Sequence, residues 1–269
     1  MTRTILITGT SSGLGESAVF EYEKRGWNVV ATMRDVTKAN PRFAELARVL
    51  VTHLDVTDRS SVDSAISLTN QTFGPINAVL NAAGYGQVGA VEEVTPAQIR
   101  AQYETNVVGA VNVVQAVLPQ LRERSAGHIL IIGSMGGHVS FRTMSIYAST
   151  KFALRGIVEG LAMEVEPLGI NVTLVEPAGY MTKFFENVKQ PEAHIDDYKG
   201  AYAQMADFAS KAHYGNIDKS MAVVAEHTGI SHPPAHLAVN PDGLIWVRMK
   251  VASQLAEYAQ WESITLASD

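Results

Sequence analysis

The 269-residue chain contains no cysteine. Disulfide staples, thiolate metal sites and a cysteine nucleophile are excluded at once. It also lacks any apolar run near the ~20 residues that a bilayer-spanning helix needs, so no membrane partner is expected. The start, Met1-Thr2-Arg3-Thr4, runs directly into an apolar strand and shows no charged n-region with a hydrophobic core of signal-peptide type. There is no basic block, and the formal charge is −6, which argues against a nucleic-acid partner. The expectation is a soluble, cytoplasmic protein. Metal ligation is equally unprovided for. His232 and His236 are four apart, but Pro233 and Pro234 between them forbid the helix that would bring both onto one ion.

What is present is 46% hydrophobic side chains, set out in a strand–helix rhythm. Ile5-Leu6-Ile7 is a short, wholly apolar run of the kind a buried parallel strand requires. It meets Thr8-Gly9-Thr10-Ser11-Ser12-Gly13-Leu14-Gly15, and a helical pattern then runs through Ala18, Val19 and Tyr22 to Gly26. A glycine-rich turn between strand and helix lets backbone N–H groups and the helix N-terminus approach a pyrophosphate. The spacing is G-x-x-x-G-x-G, and no P-loop lysine follows, so the position after the first strand is what points to a dinucleotide. Further strands are predicted at 27–32, 49–54, 77–80, 128–132 and 170–175, with an edge strand at 236–239. Helices are predicted at 62–73, 96–118, 147–168 and 244–258. Without repeat or linker, this predicts one α/β domain over 1–269.

Polar residues gather where the strands end. Arg34 and Asp35 follow the second strand, where dinucleotide folds place the adenosine ribose. A carboxylate there accepts from a 2′-hydroxyl, whereas an arginine suits a 2′-phosphate. Asp55 closes the third strand, and the small residues of Asn81-Ala82-Ala83-Gly84 follow the fourth. Asn106 sits among Val107, Val108 and Val111, so it must find hydrogen-bond partners, either as a structural tie or in a polar relay. From Lys183 to about Gly215 periodicity weakens. Phe184, Phe185, Tyr198, Tyr202 and Phe208 scatter there, and residues 180–215 are expected to form a substrate-binding lid.

The most informative stretch is Ser145-Ile146-Tyr147-Ala148-Ser149-Thr150-Lys151. On a helix, Tyr147 and Lys151 share one face with Cβ atoms roughly 5–6 Å apart. A free tyrosine ionises near ~10, too high for acid–base work at neutral pH. One cation at about 4 Å and an effective dielectric of about 20 favours the phenolate by up to ~4 kcal/mol. That predicts a Tyr147 pKa lowered by as much as ~3 pH units, into the range of a general acid/base.

These motifs, in this order, resemble the short-chain dehydrogenase/reductase family over essentially the whole chain. The resemblance rests on Thr8 to Gly15, Asp55, Asn81-Ala82-Ala83-Gly84, Asn106, Ser134, Tyr147-x-x-x-Lys151 and Pro177 through Thr182. It implies a Rossmann-type doubly wound parallel sheet of about seven strands with helices on both faces. It implies a catalytic set of Ser134, Tyr147, Lys151 and Asn106, in which the tyrosine is the acid/base and the lysine lowers its pKa and holds the nicotinamide ribose. The serine positions the substrate oxygen, and the asparagine supports a water relay. The implied cofactor contacts are Gly9, Ser11, Ser12, Gly13, Leu14, Gly15, Arg34, Asp55, Val56, Asn81, Ala82, Gly84, Pro177, Tyr180 and Thr182, with Tyr147 and Lys151. Three departures stand out. Ala82 replaces a second asparagine, Gly133 stands where many relatives have a serine, and Ala178 occupies a usual glycine.

The function expected is NAD(P)-dependent hydride transfer to or from an alcohol or carbonyl. NADP(H) is favoured over NAD(H) because of Arg34. Tyr180, Met181, Met144, Phe184 and Phe185 hint at an apolar, steroid-, retinoid- or polyketide-like substrate. The alternative is a non-catalytic dinucleotide-sensing protein on the same fold. Family members commonly pair through the long helix and the Tyr-bearing helix, so a homodimer or homotetramer is expected, with Val107, Val111, Val114, Val158, Leu161 and Val165 at the interface.

Overall fold

The structure, a computed structural model, describes residues 2–182 and 184–267. The first half of the chain forms β1 (Thr4–Thr8), α1 (Gly13–Lys24), β2 (Asn28–Met33), β3 (Val49–His53), α2 (Arg59–Phe73), β4 (Ala78–Asn81), α3 (Pro96–Tyr103) and α4 (Gly109–Glu123). Then follow β5 (Gly127–Ile132), α5 (Ser145–Val165), β6 (Ile170–Glu176), α6 (Phe184–Asn187), α7 (Lys199–Lys211), α8 (Ile217–Glu226), β7 (His236–Ala238) and α9 (Pro241–Leu266). The seven strands make one sheet in the order β3-β2-β1-β4-β5-β6-β7, every pair parallel. This is the Rossmann-type doubly wound α/β fold that the motifs imply. The order reverses between β1 and β4, which opens a crevice beyond their C-terminal ends.

Side chains alternate across each strand, so the two sheet faces collect separate cores. Leu6, Val79, Ile129 and Ile131 pack under α2, α4 and α5, with Val62, Val113, Val117, Leu154 and Val158. Ile5, Ile7, Leu80 and Leu130 pack on the opposite face under α1 and α8, with Val19, Tyr22, Met221 and Val224.

Several expectations need correction. The stretch 96–118 is not one regular helix. A π-helical turn at Glu104–Val108 separates α3 from α4, and the helix continues to Glu123. The region after 183 is less irregular than its weak periodicity implies, since α7 covers 13 residues of it. Helix α8 goes unread in the sequence, yet it closes the second core against α1. The closing helix runs to Leu266, and beyond its first turns it extends into solvent, with Leu255 64% and Tyr258 73% exposed. The proposed interface residues also fail on geometry. Val107, Val114, Val158, Leu161 and Val165 are buried within the protomer, and Val111 is half-buried. Among the described residues, no helix is long and apolar enough to cross a membrane.

Candidate active site

The site is built where β5, β6 and α5 meet. β5 ends at Ile132, and the Gly133 amide donates to Val175 O at 2.8 Å. Ser134 follows in extended conformation and caps a short turn, its Oγ accepting from the Gly136 amide at 2.9 Å. Glycines make that turn possible. A Cβ on Gly137 would lie 2.9 Å from Lys151 O, and one on Gly136 would lie 3.7 Å from the Tyr147 ring. The turn therefore sits directly on the first turns of α5, and Tyr147 shares a hydrogen bond with Ser134. Lys151, one helical turn further on, is buried and donates to Ile132 O at 2.8 Å, with Nζ 5.8 Å from the centre of the Tyr147 ring.

The electrostatics correct the expectation for Tyr147. Burial pushes its phenol up to about 12, against the opposing hydrogen bond from Ser134. Burial also pulls the Lys151 ammonium down to about 8. Desolvation penalises both charged forms, and Lys151 aims its ammonium at a backbone carbonyl, so the predicted drop in the tyrosine pKa gives way to a rise.

Asn106 lies in the π-helical turn and is buried. Its Oδ1 accepts from the Tyr85 amide at 3.0 Å, and its Nδ2 donates to Tyr85 O at 2.9 Å and Thr150 Oγ1 at 3.2 Å. The side chain is thus spent on tying the loop after β4 to α5. Thr150 in turn donates to Tyr147 O at 2.7 Å.

On the other side of the crevice, Thr8 Oγ1 accepts from the amides of Ala82 and Ala83, both at 3.1 Å, and donates to Asn81 Oδ1. Gly9 has φ +72°, and a Cβ there would meet Ala83 backbone at 2.8 Å. A Cβ on Gly15 would fall 2.4 Å from Gly9 O. These two glycines let β1, α1 and the 81–84 loop close on one another. Ser12 caps α1 without a side-chain hydrogen bond, and the hydroxyls of Ser11 and Ser12 have no partner among the described residues. Free hydroxyls beside unsatisfied helix N–H groups form a donor set suited to a pyrophosphate. Thr182 lies over Gly13, 3.5 Å from where its Cβ would be.

Arg34 stands exposed just past β2. Asp35 is not its partner. That carboxylate accepts from the Thr37 amide at 3.1 Å and hydroxyl at 2.6 Å, and lies 3.6 Å from Lys38, contacts that hold it below its usual range. Arg34 has no ion pair with any described residue.

Residues 3–193 match the short chain dehydrogenase family. The chain belongs to that family. It is 34% identical over 274 residues to an oxidoreductase, BOA17, of Botryotinia fuckeliana, with all of both chains covered. It is also 37% identical over 190 residues to human retinol dehydrogenase 8, across 68% of this chain and 60% of that protein. A crystal structure of a short-chain dehydrogenase from Streptomyces avermitilis superposes with a TM-score of 0.92 at 31% identity, with both chains fully covered. The protein is an oxidoreductase acting on CH–OH and C=O groups.

Several of the residues predicted for the cofactor site are engaged through backbone or packing. Leu14 and Ala82 pack on the second core. Val56 is buried and accepts from Asn112 through its carbonyl, and Asp55 is engaged by Thr57. Asn81 is buried and donates to Ala110 O at 3.3 Å. Gly84 faces Asn106 Oδ1, 3.1 Å from where a Cβ would be. The carbonyl of Pro177 accepts from the Met135 amide at 2.9 Å. Tyr180 is the misplaced member. Its side chain is buried, hydrogen-bonded to Ser220 Oγ at 2.7 Å and Val239 O at 2.9 Å, and so it joins α8 to β7 instead of facing a ligand. Met181 is exposed, and the side chains of Phe184 and Phe185 lie outside the described residues.

One of the family departures has a local cause. A serine at 133 would place its Cβ 2.8 Å from the Leu174 side chain. The Ala178 methyl faces Gly243, where a Cβ would come within 3.2 Å of it. Reading the sequence missed Thr8 as the bridge of the crevice, Thr150 behind Tyr147, and a buried His138–Glu176 pair beside the serine turn. Only the last carried a signal, a charged residue immediately before Pro177.

Proposed function

We propose that the protein uses NADP(H), in preference to NAD(H), to interconvert an alcohol and a carbonyl on an apolar, retinoid- or steroid-like small molecule. The observation carrying this reading is the hydrogen-bonded Ser134–Tyr147 pair with buried Lys151 one turn away. A bound nicotinamide supplies or accepts the hydride. Tyr147 holds its proton at neutral pH, because burial raises its pKa, and gives it to the carbonyl oxygen in reduction. In oxidation the phenolate takes the alcohol proton. Ser134, oriented by the Gly136 amide, donates to the same oxygen. Lys151, with its pKa lowered to about 8, steadies the phenolate left after proton transfer and would hold the nicotinamide ribose. Asn106 holds the π-helical turn against Tyr85 and Thr150, and so keeps the relay path behind Tyr147 in shape.

The adenosine end of the cofactor sets the preference. Arg34, free of Asp35, offers a guanidinium for bidentate contact with a 2′-phosphate. Ser11, Ser12 and the amides of Gly13, Leu14 and Gly15 would hold the pyrophosphate, with Thr182 beside Gly13.

Segment 180–215 serves as the substrate cover. It is pinned by buried Glu93, which accepts from the Ile195 amide at 2.8 Å and from Tyr202 Oη, while Glu92 accepts from Tyr198. Phe208 of α7 stacks on Phe141 at 5.2 Å, and Trp246 lies edge-on to both, making an apolar wall beside the serine turn. The likeness to a retinol dehydrogenase supports an apolar substrate. Assembly into a homodimer or homotetramer is proposed through the outer face of α5. There Phe152 (42% exposed) and Met163 (72%) flank Gly156 and Gly160, which face open space.

The test is to follow NADPH and NADH absorbance with all-trans-retinal and a panel of steroid and polyketide ketones. Turnover faster with NADPH than NADH supports the reading. Tight NADPH binding with no turnover of any carbonyl would favour a dinucleotide sensor.

A further inference from the structure

The serine turn is held from behind by a ring of charged and polar side chains. His138, four residues after Ser134, is buried and its Nε2 donates to Glu176 Oε1 at 2.6 Å. Arg155 Nη1 donates to His138 Nδ1 at 2.9 Å, and Arg155 Nε donates to Glu159 Oε1 at 2.7 Å. His236 closes the ring, 3.3 Å from Glu176 and 3.6 Å from Glu159. The groups come from the serine turn (His138), α5 (Arg155, Glu159), β6 (Glu176) and β7 (His236). α9 adds only Leu244 and Val247 to the lining of an adjacent cavity of about 460 Å³.

The placement relative to the reacting groups is specific. Glu176 immediately precedes Pro177, whose carbonyl already takes the Met135 amide. The turn bearing Ser134 is therefore fixed to the end of β6 at several points, Gly133 to Val175, Met135 to Pro177, Ser134 Oγ to Pro177 O at 3.5 Å and, farthest along the turn, His138 to Glu176. On α5, Tyr147, Lys151, Arg155 and Glu159 follow at four-residue intervals and so form one row. That row runs from the Tyr147–Lys151 pair into the ring. The three elements that set the Ser134–Tyr147 hydrogen bond are thus locked together by His138.

The same trio, His138, Glu176 and His236, brings one ligand atom from each residue within 4.8 Å of the others, a spacing compatible with a metal ion. Arginine is a donor only, so Arg155 makes His138 Nδ1 an acceptor and leaves the proton on Nε2, the atom a metal would need bare. The neighbouring guanidinium repels a cation as well. Burial works against the Glu176 charge, but the hydrogen bonds from His138 and His236 outweigh it and hold that carboxyl below its ordinary range.

We propose that His138 and Glu176 are positioning residues that, locked by Arg155, hold Ser134 within hydrogen-bond reach of Tyr147. This rests on the role given to Ser134 above. The test is a double-mutant cycle of Ser134→Ala and His138→Phe, with Glu176→Gln and Arg155→Met beside it. NADPH-dependent reduction of all-trans-retinal is the assay, alongside a crystal structure of His138→Phe. His138→Phe should lower kcat at least tenfold with NADPH affinity within twofold. Glu176→Gln keeps an oxygen that accepts from His138 and should stay within threefold of wild type. In the Ser134→Ala background, His138→Phe should add less than a further twofold. In the crystal, Ser134 Oγ should lie beyond hydrogen-bond reach of Tyr147, a readout independent of whether retinal is turned over. An unchanged Ser134–Tyr147 hydrogen bond, or a full additive loss in the Ser134→Ala background, overturns the proposal. Ser134→Ala at wild-type rate would instead refute the role of the serine, while the crystal structure still reads the clamp. If His138→Phe does not fold, Arg155→Met takes its place, with kcat expected to fall at least threefold at unchanged melting temperature; an unchanged kcat overturns the proposal. Stoichiometric Co²⁺ binding with visible absorption, lost in Glu176→Gln, would make the trio a metal site and overturn it too.

Discussion

Lys151 Nζ hydrogen-bonds Ile132 O at 2.8 Å, so the cation nearest Tyr147 is anchored to the sheet and not to the phenol. Both side chains are desolvated, and each pKa moves so as to favour that group's own neutral form, down to about 8 for the lysine and up to about 12 for the tyrosine.

Tyr147→Phe removes the hydroxyl alone. NADPH affinity should survive within twofold, while turnover should fall by the ~10²–10⁴ typical of a lost general acid/base. Lys151→Met should weaken NADPH binding and shift the alkaline limb of the pH–rate profile upward, without lowering the melting temperature of the cofactor-free protein, because a buried cation is removed. Near wild-type turnover in the Phe variant, measured under saturating NADPH, would refute the mechanism.

Arg34→Ala should weaken NADPH about ten- to a hundredfold, the equivalent of ~1.5–3 kcal/mol for one charge-assisted contact, and leave NADH nearly unchanged. Fluorescence titration of both cofactors decides it. Equal NADPH affinity in wild type and variant would mean that another group sets the preference.

Tyr180→Phe tests the reassignment of that residue. Losing its hydrogen bonds to Ser220 and Val239 should cost about 1–2 kcal/mol of stability, seen as a lower denaturation midpoint. NADPH affinity should not change, and a large loss of affinity would return Tyr180 to the cofactor site.

His128 should make the protein acid-sensitive. It is buried, with Nδ1 accepting from the Gly229 amide at 3.1 Å and Nε2 paired with Thr173 at 2.9 Å, and burial pulls its pKa from 6.5 to about 4. The unfolded chain then binds the extra proton between those values, so stability is complete above pH 6.5 and is lost as pH falls toward 4. The loss from this group should approach about 3 kcal/mol at ~1.36 kcal/mol per pH unit. Urea melts from pH 7 to 4 should show it, and His128→Gln should flatten the slope.

Light scattering at micromolar concentration should give twice or four times the 29.0 kDa chain mass. Gly156→Arg, placed on the open face of α5, should shift the protein toward monomer with its melting temperature little changed. A monomeric wild type would refute assembly through this face.

Local patterns were enough for the frame. Apolar runs such as Ile5-Leu6-Ile7 and Ile129-Leu130-Ile131 mark strands buried on both faces, and the four-residue spacing of Tyr147 and Lys151 fixes their shared helix face, because both periodicities are properties of the backbone. The glycine stretch likewise marks the crevice, since only residues without a Cβ tolerate Gly9 against Ala83 and Gly15 against Gly9 O. Tertiary structure decided what periodicity does not encode. Burial from all sides raised the Tyr147 pKa, which a two-residue Coulomb argument had lowered. Packing turned Tyr180 toward Ser220 and turned Val114, Val158 and Leu161 into the protomer core instead of an interface. Asn106 became a tie because its partners, Tyr85 and Thr150, lie 21 and 44 residues away. The His138–Glu176–Arg155 ring spans three elements and 38 residues between His138 and Glu176, so it exists only once β6 and α5 are brought beside the serine turn.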